Sequence, residues 1–206
     1  MLFIVTALMI EASPIIQHYG LKRDMTTHAF PVYRRDDVVL IISGVGKVRC
    51  AMATTWLYAA LFSLEQSGQP LLLVNIGFCG TDRPDIPSGR LVLAGKVTDR
   101  DSGRDFYPDV RRDDRLPLVT LYCSGRRVTA GHDPAAQPGK PVWVDMESAG
   151  FMEAAGHFVT ADRILVFKIV SDHLEPDRLD KKYLQQLMCD QMPVLTQVLN
   201  EAVARV

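Results

Sequence analysis

The chain has 206 residues, 48% of them hydrophobic, and a formal net charge of -1 at pH 7. That is enough chain to bury a core as one domain, residues 1–206. A charge balance near zero gives nucleic acid or an anionic membrane surface no electrostatic hold. The four cysteines and five histidines are scattered, with no CxxC or HxxxH spacing, which argues against zinc, any other bound metal or a disulfide framework and for a reducing cytoplasm.

The opening "MLFIVTALMIEASP" lacks a basic leader and meets Glu11 and Pro14 early, so "LFIV" (2–5) reads as a buried first strand and not a signal peptide. "VVLII" (38–42) is a second strand. "KVRCAMATTWLYAALFSLEQ" (47–66) has helical apolar spacing and ends near Gly68 and Pro70. "LLLV" (71–74) and "RLVLA" (90–94) are strands, and the charged "DRDSGRDFYPDVRRDDR" (99–115) is a loop. "PLVTLY" (117–122) and "PVWV" (141–144) follow as strands, then a helix over 147–158 with Glu147 or Ser148 near its start. "ILVFKIV" (164–170) is the last strand, and 179–206 is a terminal helix that Pro193 kinks or divides. No run reaches membrane-spanning length. Short apolar runs without strict alternation are strands covered on both faces. Strands alternating with helices predict an α/β domain with a largely parallel sheet, mixed in the middle.

Ligands of such sheets sit beyond the carboxyl ends of the strands. There the sequence offers "TALMIEA" with Glu11, "SGVGKV", "NIGFCG", "DMESAG" with Glu147, and "SDHLE" with Asp172. "SGVGKV" is neither a Walker loop nor a GxGxxG fingerprint. Gly44 and Gly46 make a tight strand-to-helix turn or turn backbone N–H groups toward a small polar ligand; Gly77 and Gly80 offer the same choice. Taken singly, Glu147 and Asp172 are as readily helix-start residues as ligands, and Asp145 is as readily structural.

In order, "SGVGKVRCA", "NIGFCG", "VDMESAG" and "KIVSDHL" resemble the nucleoside phosphorylase/nucleosidase superfamily. "TALMIEA" and "SGVGKV" are similar to its methylthioadenosine/S-adenosylhomocysteine nucleosidases, and "MESAG" and "VSDHL" equally to its purine nucleoside phosphorylases. The resemblance implies a three-layer αβα sandwich around a mixed, largely parallel sheet and cleavage of the N-glycosidic bond of a nucleoside, purine or purine-like. It places Asp172 as catalytic acid, with Ser171 beside it in the "SD" motif. Glu147 falls on the ribose ligand, Met146 under the sugar, and Glu11 on the carboxylate that activates water. Phe106 matches an aromatic that reaches a neighbouring subunit's pocket, and a homo-oligomer is implied.

Phe78 stands where many members carry Ser or Thr, which weakens a phosphate-binding reading and narrows the pocket. "YCSGRRVTAG" (122–131) matches the base-recognition segment poorly. The reading is a nucleosidase with water as acceptor and no cofactor. The alternatives are a phosphorylase taking inorganic phosphate as co-substrate and a weakly catalytic nucleoside-binding paralogue. The partner expected is a small-molecule nucleoside, with no nucleic acid and no membrane.

Overall fold

The computed structural model describes residues 1–61, 70–110, 113–129, 142–175 and 180–205. In chain order these form β1 (Leu2–Thr6), α1 (Met9–Tyr19), β2 (Lys22–Arg23), β3 (Val32–Arg35), β4 (Val38–Ile42), α2 (Lys47–Leu61), β5 (Leu72–Thr81) and β6 (Leu91–Asp99). Then come β7 (Asp105–Phe106), β8 (Leu118–Cys123), β9 (Trp143–Asp145), α3 (Ser148–Ala155), β10 (Ile164–Asp172) and α4 (Lys181–Val203).

Strands β4, β1, β5 and β10 are mutually parallel neighbours, and β2 and β3 extend that sheet antiparallel at one side. Strand β5 is long enough to serve two partners on one flank: Leu72–Asn75 pairs with β1, and Gly80–Thr81 pairs with β9. Its other flank pairs with β10, which continues antiparallel to β6; β6 runs parallel to β8, and β8 parallel to β9. Strands β5, β10, β6, β8 and β9 therefore close into a ring beside the open half of the sheet. The sheet is mixed, as expected, with parallel pairs in its centre; the closure is not visible in the apolar runs.

Helices cover both faces. In β1, Phe3 and Val5 join the core beneath α2 and α3, while Leu2 and Ile4 join the core beneath α1 and α4. In β10, Val166 and Val170 face the first core, and Leu165, Phe167 and Ile169 the second. Alternate side chains point to opposite faces and both faces are dry, which is why these strands read as unbroken apolar runs. Helix α4 buries Leu184, Leu187, Met188, Met192, Leu195 and Leu199, a three-and-four spacing that lays one stripe on the sheet. Each such Leu contributes about 1.5–3 kcal/mol by leaving water.

Several expectations change. "NIGFCG" is the second half of β5 and not a turn, because its residues pair with β10 through Gly80. The charged 99–115 segment opens with the end of β6 and returns through β7, which pairs with it at Val97 and Thr98. Helix α4 passes through Pro193 as one element. The 62–66 end of the helix expected over 47–66, Pro141 and residue 179 lie outside the described residues. Helix α1 and strands β2 and β3 had no counterpart in the sequence reading. Among the described residues no helix is long and apolar enough to cross a membrane.

Candidate active site

A cavity of about 170 Å³ opens beyond the carboxyl ends of β1, β5 and β10. Glu11, Glu147 and Asp172 all line it, together with Met146, Phe78, Ser171, Val45, Arg127 and Val128.

Glu11 is the third residue of α1. Leu8, at the helix cap, has no side-chain acceptor, and Glu11 turns back to serve the free N–H groups itself. Its Oε2 accepts from Ala7 N at 2.8 Å and Leu8 N at 2.9 Å, and its Oε1 accepts from Phe78 N at 3.2 Å. Burial pushes its pKa up to about 7; Lys168 opposes the shift, and Glu147 adds to it.

Glu147 stands at the start of α3 and reaches across to the turn before α2, where Oε1 accepts from Gly46 N at 2.9 Å. Gly46 (φ 105°) and Gly44 (φ 82°) hold the left-handed turn that aims this N–H. The approach depends on Gly150, where a Cβ would fall 2.1 Å from the Lys47 carbonyl oxygen. Burial raises the Glu147 pKa, and Lys168 opposes it.

Beneath these carboxylates lies Lys168, 1% exposed, in the middle of β10. Its Nζ meets Asp145 Oδ2 at 2.8 Å. Its neighbour across the ladder is Gly77, where a Cβ would sit 3.0 Å from Glu11 Oε1 and 3.3 Å from Lys168 Nζ. The missing side chain at Gly77 leaves room for both the Glu11 carboxylate and the Lys168 ammonium. The ammonium is held charged: burial disfavours the cation, but Asp145, Glu147 and Glu11 together outweigh it and move its pKa upward. Asp145 is committed to structure, accepting from Glu147 N at 3.2 Å, Ser148 N at 2.8 Å and Ser148 Oγ at 2.6 Å as well as from Lys168.

Asp172 ends β10 just after a bulge, where the register slips between Val170 and Asp172. A bulge re-aims the side chain that follows it. Ser171 Oγ stands 2.6 Å from Asp172 Oδ2 and 3.2 Å from the Cys79 carbonyl oxygen. Two residues on, Leu174 is buried with φ 62°, a strained backbone for a bulky residue, and packs with Val142 and Val144.

The model of the phosphorylase superfamily matches residues 3–143. The chain belongs to the phosphorylase superfamily. No curated protein matches it at a significant level. Among solved structures it is similar to a futalosine hydrolase mutant from Helicobacter pylori, with 15% identity, 97% of this chain and 98% of that one covered, and a TM-score of 0.75. A methylthioadenosine nucleosidase mutant of the same organism, with 5'-methylthioadenosine in its active site, gives 14%, 97%, 98% and 0.72. A methylthioadenosine/S-adenosylhomocysteine nucleosidase from S. pneumoniae with a transition-state inhibitor gives 20%, 98%, 97% and 0.70. At these identities the likeness is one of fold.

Within this superfamily member, the structure brings Glu11, Glu147, Met146, Phe78, Ser171 and Asp172 to one cavity. Gly77 acts behind the lining, as the notch for Glu11 and Lys168. Gly44 is a correction: its N–H is spent on the Ala7 carbonyl, 3.1 Å away, and the residue shapes the turn without facing the cavity. Phe106 does not line this chain's cavity; it packs against the core on the α2 and α3 side, with the Arg104 guanidinium 5.2 Å from its ring centre. His173 is pinned to the Ile86 carbonyl at 2.9 Å, also away from the cavity. Sequence reasoning missed Lys168, whose signal was one charge inside the apolar run "ILVFKIV". Cys79 lines the cavity, but burial pushes its thiol pKa far up, which keeps it protonated and a poor nucleophile. Among the described residues no cluster of His, Cys, Asp and Glu is arranged to hold a metal ion.

Proposed function

We propose that this protein hydrolyses the N-glycosidic bond of a purine or purine-like nucleoside, using water as acceptor. The observation that carries the reading is the joint presence at one cavity of Glu11, with its pKa raised to about 7, and of Glu147 and Asp172.

Breaking the C1′–N bond leaves positive charge on the sugar and negative charge on the base. Ionised Glu147 accepts from ribose hydroxyls and its charge favours the oxocarbenium-like sugar; Met146 packs beside it. Glu11 takes a proton from water as its oxygen bonds to C1′. The electron pair of the breaking bond passes to the base, and Asp172 supplies the proton that neutralises it. The products are the free base and the free sugar, and solvent returns both carboxyl groups to their starting forms.

Ser171 Oγ, 2.6 Å from Asp172 Oδ2 and 3.2 Å from the Cys79 carbonyl oxygen, fixes the direction in which the Asp172 carboxyl group points.

The test is product analysis on a nucleoside panel with and without inorganic phosphate. Free sugar formed at a phosphate-independent rate supports hydrolysis; ribose 1-phosphate formed only with phosphate would move the protein to the phosphorylases. Binding without turnover across the panel would leave the weakly catalytic paralogue. The reading needs no cofactor.

The same reading includes a homo-oligomer in a reducing cytoplasm. Val48 (74% exposed) and Met52 (59%) lie on α2, just after Val45 in the cavity wall, where a second copy would cover them. Light scattering of the wild type and of Met52→Lys tests the assembly.

A further inference from the structure

The cavity has two unlike halves. Glu11 and Glu147 occupy one, each held by backbone N–H groups. The other is apolar. Val144 and Leu174 are buried together there, and Val128 packs against them. Asp172 belongs to this apolar half, since Gly80 brings both to one point: a Cβ on Gly80 would lie 2.8 Å from the Leu174 side chain and 3.3 Å from Asp172 Oδ1. A base set against Val128, Val144 and Leu174 would leave its sugar on the side of Glu11 and Glu147.

Among the described residues one cation lines the cavity wall, Arg127. Arg127 precedes Val128 and is exposed, and it forms no hydrogen bond or ion pair with another described residue. A guanidinium carries five N–H donors in a rigid fork and no acceptor. The base edge that complements it presents acceptors. A 6-oxopurine offers O6 and N7 side by side, whereas a 6-aminopurine puts an N–H donor at position 6.

We propose that Arg127 is a specificity-determining residue that makes the site favour 6-oxopurine nucleosides over 6-aminopurine ones. This rests on the hydrolase reading above and deepens it. A bidentate Arg–purine pair discriminates by roughly 1–3 kcal/mol, which is about 5- to 150-fold, and an exposed Arg belongs at the low end. Arg127 is exposed, and Arg127→Met keeps the length of its stem while removing the donors.

The experiment measures kcat/KM for inosine and adenosine with the wild type and Arg127→Met, and in parallel titrates hypoxanthine and adenine calorimetrically. The expected result is a wild-type preference for inosine of about fivefold or more, lost in Arg127→Met through a higher KM for inosine, with adenosine changed less than twofold. Hypoxanthine binding should weaken in step. Equal losses on both nucleosides, an unchanged ratio, or a wild-type preference for adenosine overturns the proposal while leaving the hydrolase standing. If neither nucleoside is cleaved, the hydrolase reading fails for these substrates and the base titrations still decide: hypoxanthine bound more tightly than adenine through Arg127 sustains the proposal, and equal or absent binding overturns it.

Discussion

Lys168 Nζ lies 2.8 Å from Asp145 Oδ2, with both side chains sealed from solvent, and this buried pair underlies all the chemistry above it. A lone buried ammonium is prohibitively costly, and so is a lone buried carboxylate; together, with Asp145 also accepting from Ser148 and Glu147, they are tolerated. Replacing Lys168 by Met leaves Asp145 without its cation. The expected loss is about 3–5 kcal/mol, read from urea unfolding midpoints. An unchanged midpoint would mean the pair is not buried in solution.

The electrostatics of Glu11 give a pH dependence with a definite sign. Its pKa is raised from 4.5 to about 7 in the folded chain, so the folded state holds the proton more tightly than the unfolded one. The stability contributed by that proton is fully present below about pH 4.5 and is lost as pH rises through about 7. Glu11→Gln should flatten that fall between pH 5 and 7 in a series of unfolding curves, measured near those pH values. For catalysis the ionised form is the base, so kcat/KM should climb with pH through about 7 and vanish in the Gln variant. A rate that falls through that range would assign Glu11 the acid's role.

Gly150 tests how Glu147 is aimed. An alanine Cβ would collide with the Lys47 carbonyl oxygen, at 2.1 Å, so α2 and α3 must separate. The cost expected from overpacking is about 1–3 kcal/mol, visible as a lower Tm. Glu147 then loses its contact with Gly46, and KM should rise more than kcat falls. Gly156→Ala, beyond the end of α3, is the control for helix propensity.

Asp172→Asn removes the proton donor while preserving shape. The expected effect is a fall in kcat of about a hundred- to ten-thousand-fold with nucleoside binding retained, measured by single-turnover kinetics. Retained turnover would shift the acid's role to another group at the cavity.

The sheet and three of its covering helices, α2, α3 and α4, were legible because two-sided burial writes itself as apolar runs and as three-and-four spacing. Glu11, Glu147 and Asp172 were legible because each follows a run. Helix α1 was not: Pro14 inside it reads in sequence as a helix breaker, and its strongest start signal is Glu11 folding back on the backbone, a three-dimensional event. Strands β2 and β3 hide because Lys22, Arg23, Arg34 and Arg35 are exposed and carry no apolar alternation. The glycines of β5 read as a turn because sequence shows flexibility and not the neighbours that need the space, here Glu11, Lys168 and Leu174. Lys168 was in plain sight in "ILVFKIV", but its partner Asp145 lies on another strand.

Closing β5, β10, β6, β8 and β9 on one another leaves those strands with few free rims. What remains at the margins, among the described residues, is two very short strands, β2 with Lys22 and Arg23 and β7 with Asp105 and Phe106. Short, charged margins refuse to template a neighbouring chain. Copies of this protein therefore have little backbone with which to zip together, and crowding at high concentration should favour association through side-chain faces rather than cross-β growth.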